Sequence, residues 1–138
     1  QEFKCEIYVP SMGRRVANEE QMENLHHLPY MPWLEWMKTL NHYKYGVHLM
    51  RTHAAGTFSL NCSYLGLPCL GYKGLDPQHI LHPLTSVDIG DLKEARLIAK
   101  KLYSDVDFYN QCANLTRQLY EQYFTETVFR KKMREFLK

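Results

Sequence analysis

VHLMRTHAAGTFSLNCSYLGLPCLG, residues 47–71, sets two short apolar runs on either side of a stretch with helical length. YGVHLM (Tyr45–Met50) and PCLGY (Pro68–Tyr72) have the brevity and the β-branched or aromatic content of strands, and TFSLNCSYLG between them reads as a helix. Strand, helix and strand in succession form a βαβ unit, whose two strands lie parallel. Ahead of the helix, Ala54, Ala55 and Gly56 make a loop of small residues. In an open α/β sheet ligands bind beyond the carboxyl ends of the strands, and small residues there let a phosphate reach backbone N–H groups at the next helix. Thr57 adds a hydroxyl donor or a helix cap. A small-residue turn more often serves only tight packing, so the loop alone favours a structural reading and leaves an anion-binding one open.

The flanks extend the same alternation. Toward the amino terminus, WLEWMKTLNHY after Pro32 places Trp33, Trp36, Met37 and Leu40 three and four apart, an amphipathic helix with its tryptophans expected in the core. LHHLPYMP before it is extended or irregular, Ala17–Asn24 is polar and helix-permissive, and Phe3–Val9, closed by Pro10, reads as a strand. Toward the carboxyl terminus, Gly74–Pro83 (GLDPQHILHP) reads as a loop punctuated by glycine and proline, and TSVDIG as a short final strand. Asp91 with Glu94 three positions on is a capping-box pattern, and Leu92, Ala95, Ala99 and Leu102 form one apolar stripe behind it. Further helices are predicted from Val106 to Tyr123 and from Glu126 to the end. The expected fold is α/β: an open, mostly parallel, Rossmann-like sheet with helices on both faces and a helical carboxyl terminus.

Composition bounds the function. The chain has 138 residues, 45% hydrophobic and only 23% charged, which predicts a single folded domain over 1–138 and excludes a disordered chain. A net charge of +2 is too balanced for a general nucleic-acid binder. Cys5, Cys62, Cys69 and Cys112 are dispersed without CxxC spacing, so they read as reduced thiols of a cytosolic, cytoplasmic protein. Apolar runs stay well short of the roughly 18 residues of a membrane span.

The central block resembles the signature of the carboxy-terminal, nucleotide-sugar-binding domain of GT-B fold glycosyltransferases of the retaining, glycogen-synthase-like type. His53, Gly56, Asn61, Gly66 and Pro68 fall in register on that signature: an acidic residue, a glycine, a second acidic residue on the helix, then Gly-x-Pro and a strand. The resemblance spans about residues 25 to 125 and is specific only in its central block. It implies a hexosyltransferase that moves a sugar from a nucleoside-diphosphate donor to a hydroxyl acceptor, with no further cofactor. On that resemblance Ala55, Gly56, Thr57 and Phe58 bind the donor diphosphate, while His53 and Asn61 face the sugar or ribose. Gln78 and His79, after the PCLGY strand, are secondary candidates. Two departures stand out: His53 and Asn61 replace the family's two glutamates, and Asn61 can still hydrogen-bond a diol whereas His53 cannot reproduce a carboxylate. The site is therefore either altered or decayed, and the alternative is a non-catalytic binding or assembly module. No catalytic residue is identified. The family's early Arg and Lys pair has no matching motif; Arg14 and Arg15 follow the first strand but read as a solvated loop. The resemblance also implies an amino-terminal, acceptor-binding domain, supplied ahead of Gln1 or by another chain, a second copy included.

Other constellations weigh less. His26 with His27, and His79 with His82, lack the three or four ligands of a zinc site, so no metal is expected. Asp105-Val106-Asp107 matches the metal-binding dyad of a different glycosyltransferase architecture but opens a helix, where acids cap the amino terminus. FRKKMREFLK (Phe129–Lys138) is a basic amphipathic pattern; packing on its own domain is the favoured reading, and contact with an anionic membrane surface the other.

Overall fold

The computed structural model describes residues 5–10, 17–51, 57–74 and 76–138. The chain divides into two compact units, 1–39 and 40–138. In the first, β1 (Ile7–Pro10) pairs in parallel with β2 (Leu25–Leu28), Ile7 opposite Leu25, with a 3-10 helix at Ala17–Gln21 in the connection. LHHL thus forms a paired strand rather than an irregular segment. Asn24 donates from Nδ2 to the Cys5 carbonyl at 2.8 Å, Tyr8 stacks on His26 at 5.0 Å, and His26 pairs with Glu6. α1 (Trp33–Leu40) follows Pro32, whose carbonyl accepts from the Trp36 N–H. Glu35 in its first turn and Lys38 in its last complement the helix dipole. Trp33, expected in the core, is 61% exposed, whereas Met37 and Leu40 on the same face of the helix are buried.

The second unit holds a three-stranded parallel sheet in the order β3-β4-β5: β3 (Gly46–His48), β4 (Cys69–Tyr72) and β5 (Ser86–Val87). α2 (Thr57–Leu65) makes the β3–β4 crossover, which realises the predicted βαβ unit. The β4–β5 crossover is α3 (Asp76–Leu81) followed by a 3-10 turn at Pro83–Thr85. This segment was expected to be a loop. Its prolines punctuate a helix instead, since Pro77 sits in the first turn where its missing N–H costs nothing, and Pro83 stops the helix just past His82. α4 (Leu92–Ser104), α5 (Val106–Tyr123) and α6 (Glu126–Phe136) complete the chain at the predicted places.

α2 packs on α3 and α5, and α4 on β4 and α5. All four residues of β4 are buried, as expected of a parallel strand covered by crossovers. Leu70, Leu81 and Leu102 are fully buried; each such side chain is worth about 1.5 to 3 kcal/mol. Capping follows the sequence: the Asp91 carboxylate accepts from the Glu94 N–H and Asp105 from the Phe108 N–H, both at 2.9 Å. Such caps are worth about 1 kcal/mol each. Asp105 therefore does cap a helix.

Two glycines are dictated by geometry. Gly66 has φ +69°, and its N–H bonds to the Ser63 carbonyl while the Leu67 N–H reaches Cys62, a Schellman motif that ends α2. Gly71 faces Gln78, whose Cδ would stand 2.5 Å from any added Cβ. The class is α/β with a helical carboxyl terminus, and its sheets have two and three strands where one larger open sheet was expected.

Candidate functional site

The carboxyl edge of the second sheet is the place where an α/β architecture presents ligands. β3 ends at His48, and α2 begins at Thr57. His53, Ala55 and Gly56, with Ala54 between them, lie outside the described residues, as do Arg14 and Arg15. Thr57 is exposed at the start of α2, where the first N–H groups of a helix have no intrahelical partner. Phe58 turns its ring to the sheet: it lies 5.6 Å from the His48 ring, and its Cε1 would stand 2.7 Å from a Cβ on Gly46. Only its backbone can serve an anion. Asn61 is half-buried one turn into α2.

The secondary candidates separate. Gln78 is fully buried, donating from Nε2 to the Cys69 carbonyl at 2.9 Å and to Ser86 Oγ at 3.2 Å. Its amide ties α3 to β4 and β5. His79, the next residue, is exposed.

Three residues at this edge were missed. The Arg51 guanidinium, three residues past β3, lies 3.9 Å from where a Cβ on Gly90 would stand, which brings it to the turn after β5. Lys73 directly follows β4; its N–H bonds to the Val87 carbonyl and its ammonium pairs with Asp88 at 3.1 Å. His48 closes β3, with Nε2 3.0 Å from Met50 Sδ and a buried Nδ1 that has no hydrogen-bond partner among the described residues. Burial holds His48 below its ordinary pKa, which favours the neutral ring. The available signal was position: Arg51 and Lys73 come within three residues of strand ends.

A second cluster lies inside the unit. Ser63 Oγ is 2.9 Å from His82 Nε2, 2.9 Å from Thr116 Oγ1 and 3.0 Å from the Ser59 carbonyl. A serine hydroxyl beside an imidazole invites a catalytic reading, and the hydrogen bonds exclude it. His82 Nδ1 accepts from the Cys69 N–H at 3.2 Å, so the neutral ring carries its proton on Nε2 and donates toward Ser59 O and Ser63 Oγ. A ring in that tautomer cannot take the serine proton. Burial, partly offset by the bond to the Ser59 carbonyl, pulls the His82 pKa to about 4. Ser63 and His82 are 1% and 3% exposed. The cluster joins α2, β4 and α5 and is structural.

All four cysteines are free, and the Cys69 thiol points to the Leu70 carbonyl at 4.0 Å. Burial, reinforced by Cys62, raises the Cys69 pKa well above its usual value, leaving it a poor nucleophile. Among the described residues no three His, Cys, Asp or Glu side chains gather to hold a metal, and no helix is long and apolar enough to cross a membrane. No protein-family model, curated protein or solved structure matches the chain.

Proposed function

We propose that this chain is the nucleotide-sugar-binding half of a hexosyltransferase, with the GT-B-like, Rossmann-like donor site at the carboxyl edge of β3-β4-β5. The observation that carries the reading is the start of α2 beyond β3, with Arg51 and Lys73 on the same edge of a parallel sheet. The α2 dipole and the N–H groups of Ala55, Gly56, Thr57 and Phe58 would receive the diphosphate, each contribution on the order of 0.3 to 2 kcal/mol. Arg51 would supply the neutralising charge that the sequence offers in no early Arg and Lys motif. Asn61 suits a ribose diol, and His53 the sugar side. In the reaction the bond from the sugar's anomeric carbon to the diphosphate oxygen breaks and a bond to the acceptor hydroxyl forms. The acceptor is held by a second domain or another chain, and its proton leaves with the acceptor-side base.

Calorimetric titration of UDP, GDP and ADP tests the reading. One nucleotide should bind saturably. Gly56→Asp should abolish binding, because a carboxylate would meet the phosphates. Arg51→Ala should weaken it by roughly tenfold to a hundredfold, the worth of one charge-assisted hydrogen bond. Absence of binding by all three favours the second reading, a non-catalytic assembly module. What supports that one is the replacement of both family glutamates by His53 and Asn61.

A further inference from the structure

α6 buries none of its residues. Phe129, Phe136 and Leu137 are 63%, 84% and 76% exposed, and Met133 is also exposed. At 3.6 residues per turn these four side chains fall within an arc of about 100°. Packing on its own domain, the reading favoured from sequence, would have hidden that arc. Val128, only half-buried, is the side chain of the helix that turns inward.

Charge identifies what covers it. Lys132 borders the arc on one side, and Arg130 and Arg134 on the other, with Lys131 and Lys138 behind. Residues 125–138 carry five cations, these same residues, against two anions, Glu126 and Glu135, a net of +3. Arg130 bonds Glu126 through Nε at 2.8 Å, and Lys132 lies over the Tyr123 ring at 5.9 Å. Among the described residues Lys131, Arg134 and Lys138 have no ion pair. A convex ridge of Phe, Met and Leu edged by basic side chains suits an interface that is apolar below and anionic at the rim. Lysine and arginine stems can lie along the apolar layer while their charges reach phosphate.

We propose that α6 is an interfacial helix that lays Phe129, Met133, Phe136 and Leu137 into a bilayer containing anionic lipid. The whole chain would be sedimented with vesicles of phosphatidylcholine alone and of phosphatidylcholine with roughly 30% phosphatidylglycerol, at about 0.1 M and about 0.5 M salt. Partition into the anionic vesicles should exceed that into neutral ones by about tenfold or more and collapse at the higher salt. Phe129→Ser with Phe136→Ser should lower it by about tenfold or more. Lys131→Glu with Arg134→Glu should remove the preference for anionic lipid. All four positions are exposed, so unchanged helical circular dichroism will certify the variants. Equal partition into both vesicles, no partition, or indifference to the phenylalanine substitutions overturns the proposal. So does a concentration-dependent dimer in solution that Phe136→Ser dissolves, which would make a second copy the occupant. None of these readouts depends on nucleotide binding.

Discussion

The described residues form two parallel sheets, and these are held in opposite ways. β4 is buried along its whole length, and most polar groups around it bond inside the protein: His82 receives the Cys69 N–H, and Gln78 and Thr85 donate to the Cys69 carbonyl, while Gln78 Oε1 is buried without a hydrogen-bond partner among the described residues. β1 leaves Ile7 and Tyr8 45% and 42% exposed, and its neighbourhood relies on His26 with Glu6 and His27 with Glu19. Parallel strands ordinarily need cover on both faces. The difference shows what cover makes possible: behind it, histidine, glutamine, serine and threonine become precise connectors because water does not compete for them. At the open sheet His26 and Glu6 pair at the surface, where a pair is worth little, and His27 and Glu19 meet under partial cover.

The comparison is tested most severely at Gly71. An alanine there would drive its Cβ to 2.5 Å from Gln78 Cδ, and Gln78 cannot swing away without losing Cys69 and Ser86. Gly71→Ala should cost about 3 kcal/mol in urea unfolding, at the upper end of ordinary overpacking. Gln78→Ala should cost a comparable amount alone, by leaving a cavity. Combined, the two should cost less than their sum, because removal of the amide makes room for the methyl. Strict additivity would mean that Gln78 does not fix Gly71, and the interior-connector picture would fail there.

Much of this architecture was legible. The βαβ unit, the Asp91 and Asp105 caps and the spans of α4, α5 and α6 follow from local chemistry, in which capping side chains and apolar spacing act within a few residues. α3 was not, because in the sequence Pro77 and Pro83 read as breakers of one segment, whereas they mark its first turn and its end. The division into two small sheets was illegible for a different reason: pairing is non-local, and each strand run alone gives no sign of its neighbour. At the candidate site, the place of Thr57 and Phe58 at the start of α2 was legible from position in the chain. Arg51 could not, since its nearness to Gly90 depends on how β3 and β5 flank β4. Gln78 was drawn toward the donor site by its place after a strand, whereas its burial is decided by α3, which the sequence reading had as a loop.

A smaller effect separates the sheets by pH. In the unfolded chain His82 should titrate near its ordinary value of about 6.5, and in the folded protein burial lowers it to about 4. Between those values only the unfolded chain binds the proton. His82 therefore leaves stability intact above pH 6.5 and erodes it as pH falls toward 4, below which the folded protein protonates too and the loss levels off. From pH 7 to pH 4.5 the decline assigned to His82 should be on the order of 2 to 3 kcal/mol. His82→Gln keeps an acceptor for the Cys69 N–H and should flatten that slope while lowering stability at pH 7. Denaturant melts at the two pH values, compared between the proteins, measure the difference. An equal slope in both would locate the acid sensitivity elsewhere, with His48, whose pKa burial also lowers, as the next variant.

The smallest effect belongs to the open sheet. His27 Nε2 and Glu19 Oε2 lie 3.1 Å apart, and neither atom has a hydrogen-bond partner among the described residues. Glu19→Gln removes the charge and keeps the shape, and it should cost no more than about 1 kcal/mol, with most of that screened by added salt. The value is informative because it is small. Both side chains are shielded more than those of the neighbouring His26 and Glu6 pair, so Glu6→Gln should cost less still. If instead either substitution destabilised the chain as much as Gly71→Ala does, the surface pairs would be doing what the buried connectors do around β4. The contrast between an internally connected sheet and one held at its surface would then have to be abandoned.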